Sequence, residues 1–191
     1  MSPVPGRKRN EASRQAILEA TFALMQENGF SSLSIEGVAA RAGVGKTTIY
    51  RWWPAKGVLA VEAFLETVEP LIAFPETGST LDTILRQMQL LAMLYNGPTG
   101  YLVREMIGVA QSDSSVRDAF VAGFIEPRRL QAREVLERGM ATGELRKDID
   151  LNIALDTLWA PIYYRLLVSG SVIDEAFICS YADIVLRGLK P

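Results

Sequence analysis

Lys46, Thr47, Thr48, Tyr50, Arg51 and Trp52 follow one another almost without interruption, with Gly45 just before them, Ser34 upstream and Lys56 a few residues on. Ammonium, guanidinium, hydroxyl and indole N–H groups are all hydrogen-bond donors, and a cluster of them suits phosphate oxygens and the acceptor edges of bases. Catalysis is a poor fit. The chain has no histidine, which removes the commonest general base, any His-based triad and any His-based metal site. Its carboxylates are dispersed along polar faces without an evident pair. The single cysteine, Cys179, can form neither an internal disulfide nor a zinc cluster, and as part of an apolar run it reads as inert core. GVGKTT at 43–48 lacks the two-glycine spacing of a phosphate-binding loop and lies between helices rather than after a strand. No catalytic residue, cofactor or metal is expected.

The elements that must position these donors can be read from local signals. Ser34 is an N-cap candidate, and Ile35, Val38 and Ala39 make the apolar stripe of a short helix. Gly43 ends that helix at a C′ position, where a left-handed backbone is needed, and Val44 plugs the turn. A second short helix runs from Thr47 to about Arg51 and stops before Pro54. Helix, glycine-containing turn and helix make a helix-turn-helix, whose second helix offers its first residues to the major groove. Upstream, Glu11–Asn28 is an amphipathic helix with Ile17, Thr21, Leu24 and Met25 on one face, closed by Gly29. Trp53 is the expected filler where the three helices converge.

Charge agrees with this division. The net charge is -2. Residues 1–56 hold eight Lys/Arg against four acids, a balance of +4, whereas the remainder, with twelve basic and eighteen acidic residues, carries −6. A basic head on an acidic body is expected when only one end meets phosphate. Residues 1–10 read as a flexible basic arm; Arg7, Lys8 and Arg9 suit a minor groove and a solubilising tail equally well.

The stretch from Ser34 to Lys56 resembles the DNA-binding motif of the TetR family of transcriptional regulators. The residues that carry the resemblance are Leu33–Ser34–Ile35, Val38–Ala39, Ala42–Gly43–Val44, Thr48–Ile49–Tyr50, Trp53–Pro54 and Lys56. It implies DNA contacts at Ser34, Gly45, Lys46, Thr47, Thr48, Tyr50, Arg51, Trp52 and Lys56. Within that set the residue chemistry leaves some roles open: Lys46 can serve a guanine or a phosphate, Ser34 can serve as a cap alone, and Trp52 can simply pack. The chain has Gly45 where the family's turn usually has serine, Thr47 where glycine or alanine is frequent, and Trp52 where histidine or tyrosine is common. The first two departures change which bases are read, so no operator sequence transfers.

The remaining chain reads as helices without strands, giving an all-α fold. A three-helix head (11–55) follows the arm, and a larger ligand-binding and dimerisation domain occupies 56–191. The helix Lys56–Val68 begins in the head and ends in the body, a lever between them; Pro70 and the segment 75–80 break the pattern. Further helices are expected through Leu81–Tyr95, about 99–110, and Ser114 to about Met140 with Pro127 kinking or splitting it. The last two, at about 150–169 and 172–188, are apolar on most sides, with Ser171–Asp174 as a capping box for the second. A helix apolar all round must be buried all round, and so small a domain can cover only one face of each. The surplus implies a homodimer through these two helices. The family dimerises in this way, and residues 126–167 also resemble a C-terminal domain type found within it.

Met88, Met93, Met106, Phe124, Trp159 and Tyr163 suit an apolar ligand cavity and an ordinary core alike. The resemblance adds the expectation of a small hydrophobic effector among them. The start of the chain has no apolar leader pattern and no run approaches a membrane span, so a soluble cytoplasmic protein is expected. The reading is thus a ligand-responsive regulator, a repressor released from a palindromic double-stranded DNA operator. The alternative is a helical dimeric adaptor or small-molecule binder without specific DNA binding, which leaves the basic head unexplained.

Overall fold

A computed structural model describes residues 5–75 and 78–191, with side chains from Asn10 onward. Its described elements are helical, without strands: α1 (Pro5–Asn28), α2 (Ile35–Ala42), α3 (Lys46–Tyr50), α4 (Lys56–Val68), α5 (Thr80–Asn96), α6 (Gly100–Ala110), α7 (Ser114–Phe120), α8 (Glu126–Thr142), α9 (Leu151–Tyr164) and α10 (Glu175–Leu189). No helix among the described residues is long and apolar enough to cross a membrane. Helix α1 begins at Pro5, ahead of the expected Glu11, so the backbone of 5–10 continues the helix. The side chains of Arg7, Lys8 and Arg9, and residues 76–77 of the break, lie outside what is described.

Packing divides the chain into two units, residues 1–69 with 105–124 and residues 70–104 with 125–191. The first contains the helix-turn-helix, α4, the second half of α6, and α7. Its core is built on Ile17, Met25, Ile49, Trp53, Leu59 and Phe64, all essentially inaccessible to solvent. Trp53 is only 1% exposed, as expected of the residue where three helices meet. Helix α4 also packs on α7. Gly57 permits the approach, because a Cβ there would stand 2.2 Å from Val116 Cγ2. The Phe120 and Phe124 rings stack at 4.9 Å, and Phe64 meets Phe124 at 5.8 Å.

The second unit is a ring of four helices. Helix α5 packs on α8 and α10, and α9 packs on the same two, leaving α5 and α9 as a diagonal pair. Ser79, Asp150 and Asp174 cap α5, α9 and α10 with side-chain oxygens accepting backbone N–H bonds. The start of α10 corrects the sequence reading: Asp174 accepts from Phe177 N at 2.8 Å, so Asp174 and not Ser171 is the cap. The expected long helix after Asp113 is two helices joined by a π turn at Val121–Ile125, and Pro127 sits in the first turn of α8. Proline is tolerated there because that turn's N–H groups have no helical partner in any case. Pro161 has a different consequence. It lies inside α9 and cannot bond the carbonyl of Thr157; the Tyr181 hydroxyl of α10 donates to that carbonyl instead. Cys179 is exposed in the single chain, because the buried stripe of α10 is Ile178, Ala182 and Leu186.

Candidate nucleic-acid interface and effector site

The geometry of the head follows from a few local bonds. Ser34 Oγ accepts from Gly37 N at 3.1 Å, capping α2. Gly43, at φ +66°, ends that helix in the left-handed region that favours glycine, and Val44 N bonds Ala39 O across the turn at 3.0 Å. Gly45 is the N-cap of α3 and offers no side chain to its first turn. Within α3, Ile49 is fully buried. The residue inside thereby fixes which residues stand outside. Lys46, Thr47, Tyr50 and Arg51 are exposed, Thr48 is half-buried, and Trp52 lies at the rim against Trp53, ring centroids 6.2 Å apart.

These donors have partners in the unbound head. Lys46 Nζ lies 2.9 Å from Glu36 Oε1. The hydrogen bond to Lys46 holds the Glu36 carboxyl below its ordinary range, and the same bond raises Lys46. Arg51 donates to Asn10 Oδ1 at 3.0 Å. Lys56 stands 5.8 Å from the Phe30 ring centroid. Ser34 serves as the cap and remains exposed, so both of its readings stay compatible with its position. The arrangement presents donors outward on a short helix held from beneath, as reading base edges and phosphates requires.

Two acidic residues that support this surface escaped the sequence reading. Glu62 of α4 accepts from Trp53 Nε1 at 2.6 Å and pairs with Arg14 of α1, tying the end of the helix-turn-helix to α1 and α4. Glu105 of α6 accepts from Phe30 N at 2.7 Å and Ser31 Oγ at 3.4 Å, holding the α1–α2 junction. Neither carries a short-range signal, since each partner is distant in sequence.

The six effector candidates separate. Met106 and Phe124 are fully buried in the first unit, whereas Met88, Met93, Trp159 and Tyr163 belong to the second. Met93 is 58% exposed, at a shallow open depression of about 150 Å³ that also involves Arg86, Asn96 and Ile173. Met88, Trp159 and Tyr163 lie in or border the interior of the four-helix ring. Two rungs cross the α5–α9 diagonal there. Trp159 Nε1 donates to Gln87 Oε1 at 2.9 Å, and the Tyr95 and Tyr163 hydroxyls bond at 3.0 Å. Burial pushes both tyrosines above their ordinary range. Gln87 is only 1% exposed, and sequence analysis passed over it as one polar residue within an apolar stripe.

Comparison with known proteins agrees with both halves. The family described as "Bacterial regulatory proteins, tetR family" matches residues 17–63, and "Tetracyclin repressor-like, C-terminal domain" matches residues 74–185. The HTH-type transcriptional regulator YdeS of Bacillus subtilis (strain 168) is 35% identical over 185 residues, covering 97% of this chain and 92% of that protein. The DNA-binding transcriptional repressor TetR of Mycobacteroides abscessus is 27% identical over 180 residues, 93% of this chain and 94% of its own. Among solved structures, the TetR family transcription regulator SCO0332 superposes with a TM-score of 0.82 at 34% identity, covering 94% of this chain and 99% of that one.

Proposed function

Because this chain belongs to the TetR family of bacterial regulatory proteins, we propose that it is a homodimeric repressor released from a two-fold-symmetric operator by a small effector. The family is one of DNA-binding transcription regulators rather than enzymes, and its members act as dimers. The observation that carries the reading is the outward face of α3, where Lys46, Thr47, Tyr50 and Arg51 stand free of the core that Ile49 and Trp53 anchor. Thr47 and Thr48 meet base edges, Lys46 exchanges Glu36 for a base or phosphate, and Ser34, Gly45, Tyr50, Arg51, Trp52 and Lys56 fix the register on the backbone.

Dimerisation through the last two helices is supported by apolar side chains left outside the ring. Ile153, Tyr164 and Val168 of the α9 segment, with Val172 and Ile184 beside and on α10, are each more than half exposed. Covering them with a second copy places two heads on successive major-groove faces of a symmetric site. An effector in the body releases DNA to the extent that it binds the non-DNA conformation better, and α4 is the element whose displacement moves the head. The setting is the cytoplasm, where the DNA is.

The test is binding of the full-length protein to a labelled fragment of the DNA upstream of its own coding region, at two salt concentrations. Competitor-resistant binding is expected. Thr48→Ala should weaken it by about 1–3 kcal/mol at particular base pairs, and Lys46→Ala should lower the salt slope by about one if that ammonium meets phosphate. Binding no tighter than to random DNA, or no effect of either substitution, would count against this operator and this surface.

A further inference from the structure

The polar rungs across the four-helix ring leave one buried donor group without a partner among the described residues. Trp159 Nε1 can only donate, so the Gln87 atom facing it is the oxygen, and the orientation of the amide follows. That leaves Gln87 Nε2 with its N–H groups buried and without an acceptor among the described residues. Of the two tyrosine hydroxyls, one proton is spent within the pair and the other is available beyond it. Arg128 of α8 lies within electrostatic reach of both hydroxyls and adds positive charge. Trp159 and Tyr163 are only half-buried, so the layer borders solvent, and Phe74 packs edge-on to Trp159 with centroids 6.2 Å apart. A buried donor without an acceptor is costly, and interiors of helical bundles are where side chains from facing helices converge on ligands.

We infer that the effector is a small aromatic carboxylate, whose ring lies against Trp159 and whose carboxylate accepts from Gln87 Nε2 and the Tyr95–Tyr163 pair near Arg128. The inference rests on the proposed role of the body as an effector domain and replaces a purely hydrophobic effector with an amphipathic anion. The Phe74 and Trp159 rings supply apolar contact, and the unpartnered Gln87 amide nitrogen supplies specificity. A hydrocarbon of the same shape leaves the Gln87 amide unpaired and is discriminated against for that reason.

The full-length protein is titrated with benzoate, 2-naphthoate and biphenyl-4-carboxylate, each beside the counterpart in which methyl replaces carboxylate, following Tm and tryptophan fluorescence. At least one acid should raise Tm progressively with concentration while its methyl counterpart does not. Two variants separate chemistry from folding. Gln87→Met removes the donor, and Gln87→Glu keeps an acceptor for Trp159 while placing a negative charge where the ligand's would sit. Both should weaken the acid about tenfold or more while leaving the unliganded protein folded. The inference is overturned if no acid binds, if the methyl compounds bind as well as the acids, or if the acid's affinity survives both substitutions, as it would were the amide satisfied by a resident water. Operator affinity is measured on the same preparations. An operator-binding protein that ignores the acids sinks this inference and leaves the repressor reading standing; acid binding without operator binding does the reverse.

Discussion

Replacing Gly57 by alanine adds one methyl group at the point where α4 meets α7. The new Cβ would stand 2.2 Å from Val116 Cγ2, against about 3.5–4.0 Å for carbon atoms in contact. A gap of more than about 1 Å must therefore open. Valine is stiff at χ1 in a helix, so the movement falls on the helices as well as on the side chain. Overpacking of this kind costs about 1–3 kcal/mol. Gly57 is the second residue of α4, so the helix propensity of alanine over glycine offsets this by at most about 1 kcal/mol, the helix-interior value. The net expectation is a loss of about 0–2 kcal/mol, a small difference between opposed effects, so the single variant is a weak test. A double-mutant cycle with Val116→Ala is decisive. Removing the valine methyls alone costs about 2 kcal/mol by transfer and cavity. In the Gly57→Ala background the added methyl occupies the vacated space, so that cost shrinks and a coupling of about 1–3 kcal/mol appears. The assay is urea unfolding followed by far-UV circular dichroism at fixed protein concentration, since unfolding of a dimer depends on concentration. Operator affinity should fall in Gly57→Ala and recover in the double variant, because α4 holds the end of the helix-turn-helix through the Glu62–Trp53 hydrogen bond. A single variant more stable than wild type by the full propensity gain, with coupling within about 0.5 kcal/mol of zero, would refute the close approach of α4 and α7.

Other perturbations have simpler readouts. Trp53→Phe keeps an aromatic ring but deprives Glu62 of the indole donor; thermal unfolding should report a loss of about 1.5–3 kcal/mol, and an unchanged Tm would show that bond to be inconsequential. Tyr181→Phe removes the donor to the exposed Thr157 carbonyl, already without its helical donor because of Pro161, and should cost about 0.5–1.5 kcal/mol in the same assay; no loss would show that water replaces the hydroxyl. Ile184→Glu puts a charge on the most exposed large apolar residue among those described, 72% accessible in the single chain, and should convert the dimer to monomer in sedimentation at micromolar concentration; an intact dimer would move the interface elsewhere. Burial raises the ionisation of Tyr95, Tyr163 and Tyr181 above the ordinary tyrosine value. The stabilisation tied to their neutral forms is complete below about pH 10 and is lost as pH rises through the folded-state values. Tyrosinate absorbance of these residues should therefore appear late and together with unfolding; normal titration in the folded protein would contradict their burial.

What the sequence determined by itself was the head. Ser34 as a cap, Gly43 as a left-handed stop and Trp53 as the central filler are consequences of interactions spanning a few residues, and such signals survive without knowledge of the fold. The helix Lys56–Val68 was legible for the same reason. In the body, only the helical character could be read. Nearly every face of α9 and α10 is apolar, so periodicity could not say which stripe turns inward. Packing on α5 and α8 chose it, leaving Ile184 and Cys179 outside. Met93 and Met88 have the same chemistry on one helix, and only the ring places one at the surface and the other at its centre. The division of Met106 and Phe124 from Trp159 and Tyr163 and the donor that Tyr181 supplies to Thr157 depend on residues far apart in sequence. Gln87 is the clearest case: its amide is an ordinary polar side chain until Trp159, from another helix, occupies its oxygen and fixes its nitrogen in the interior.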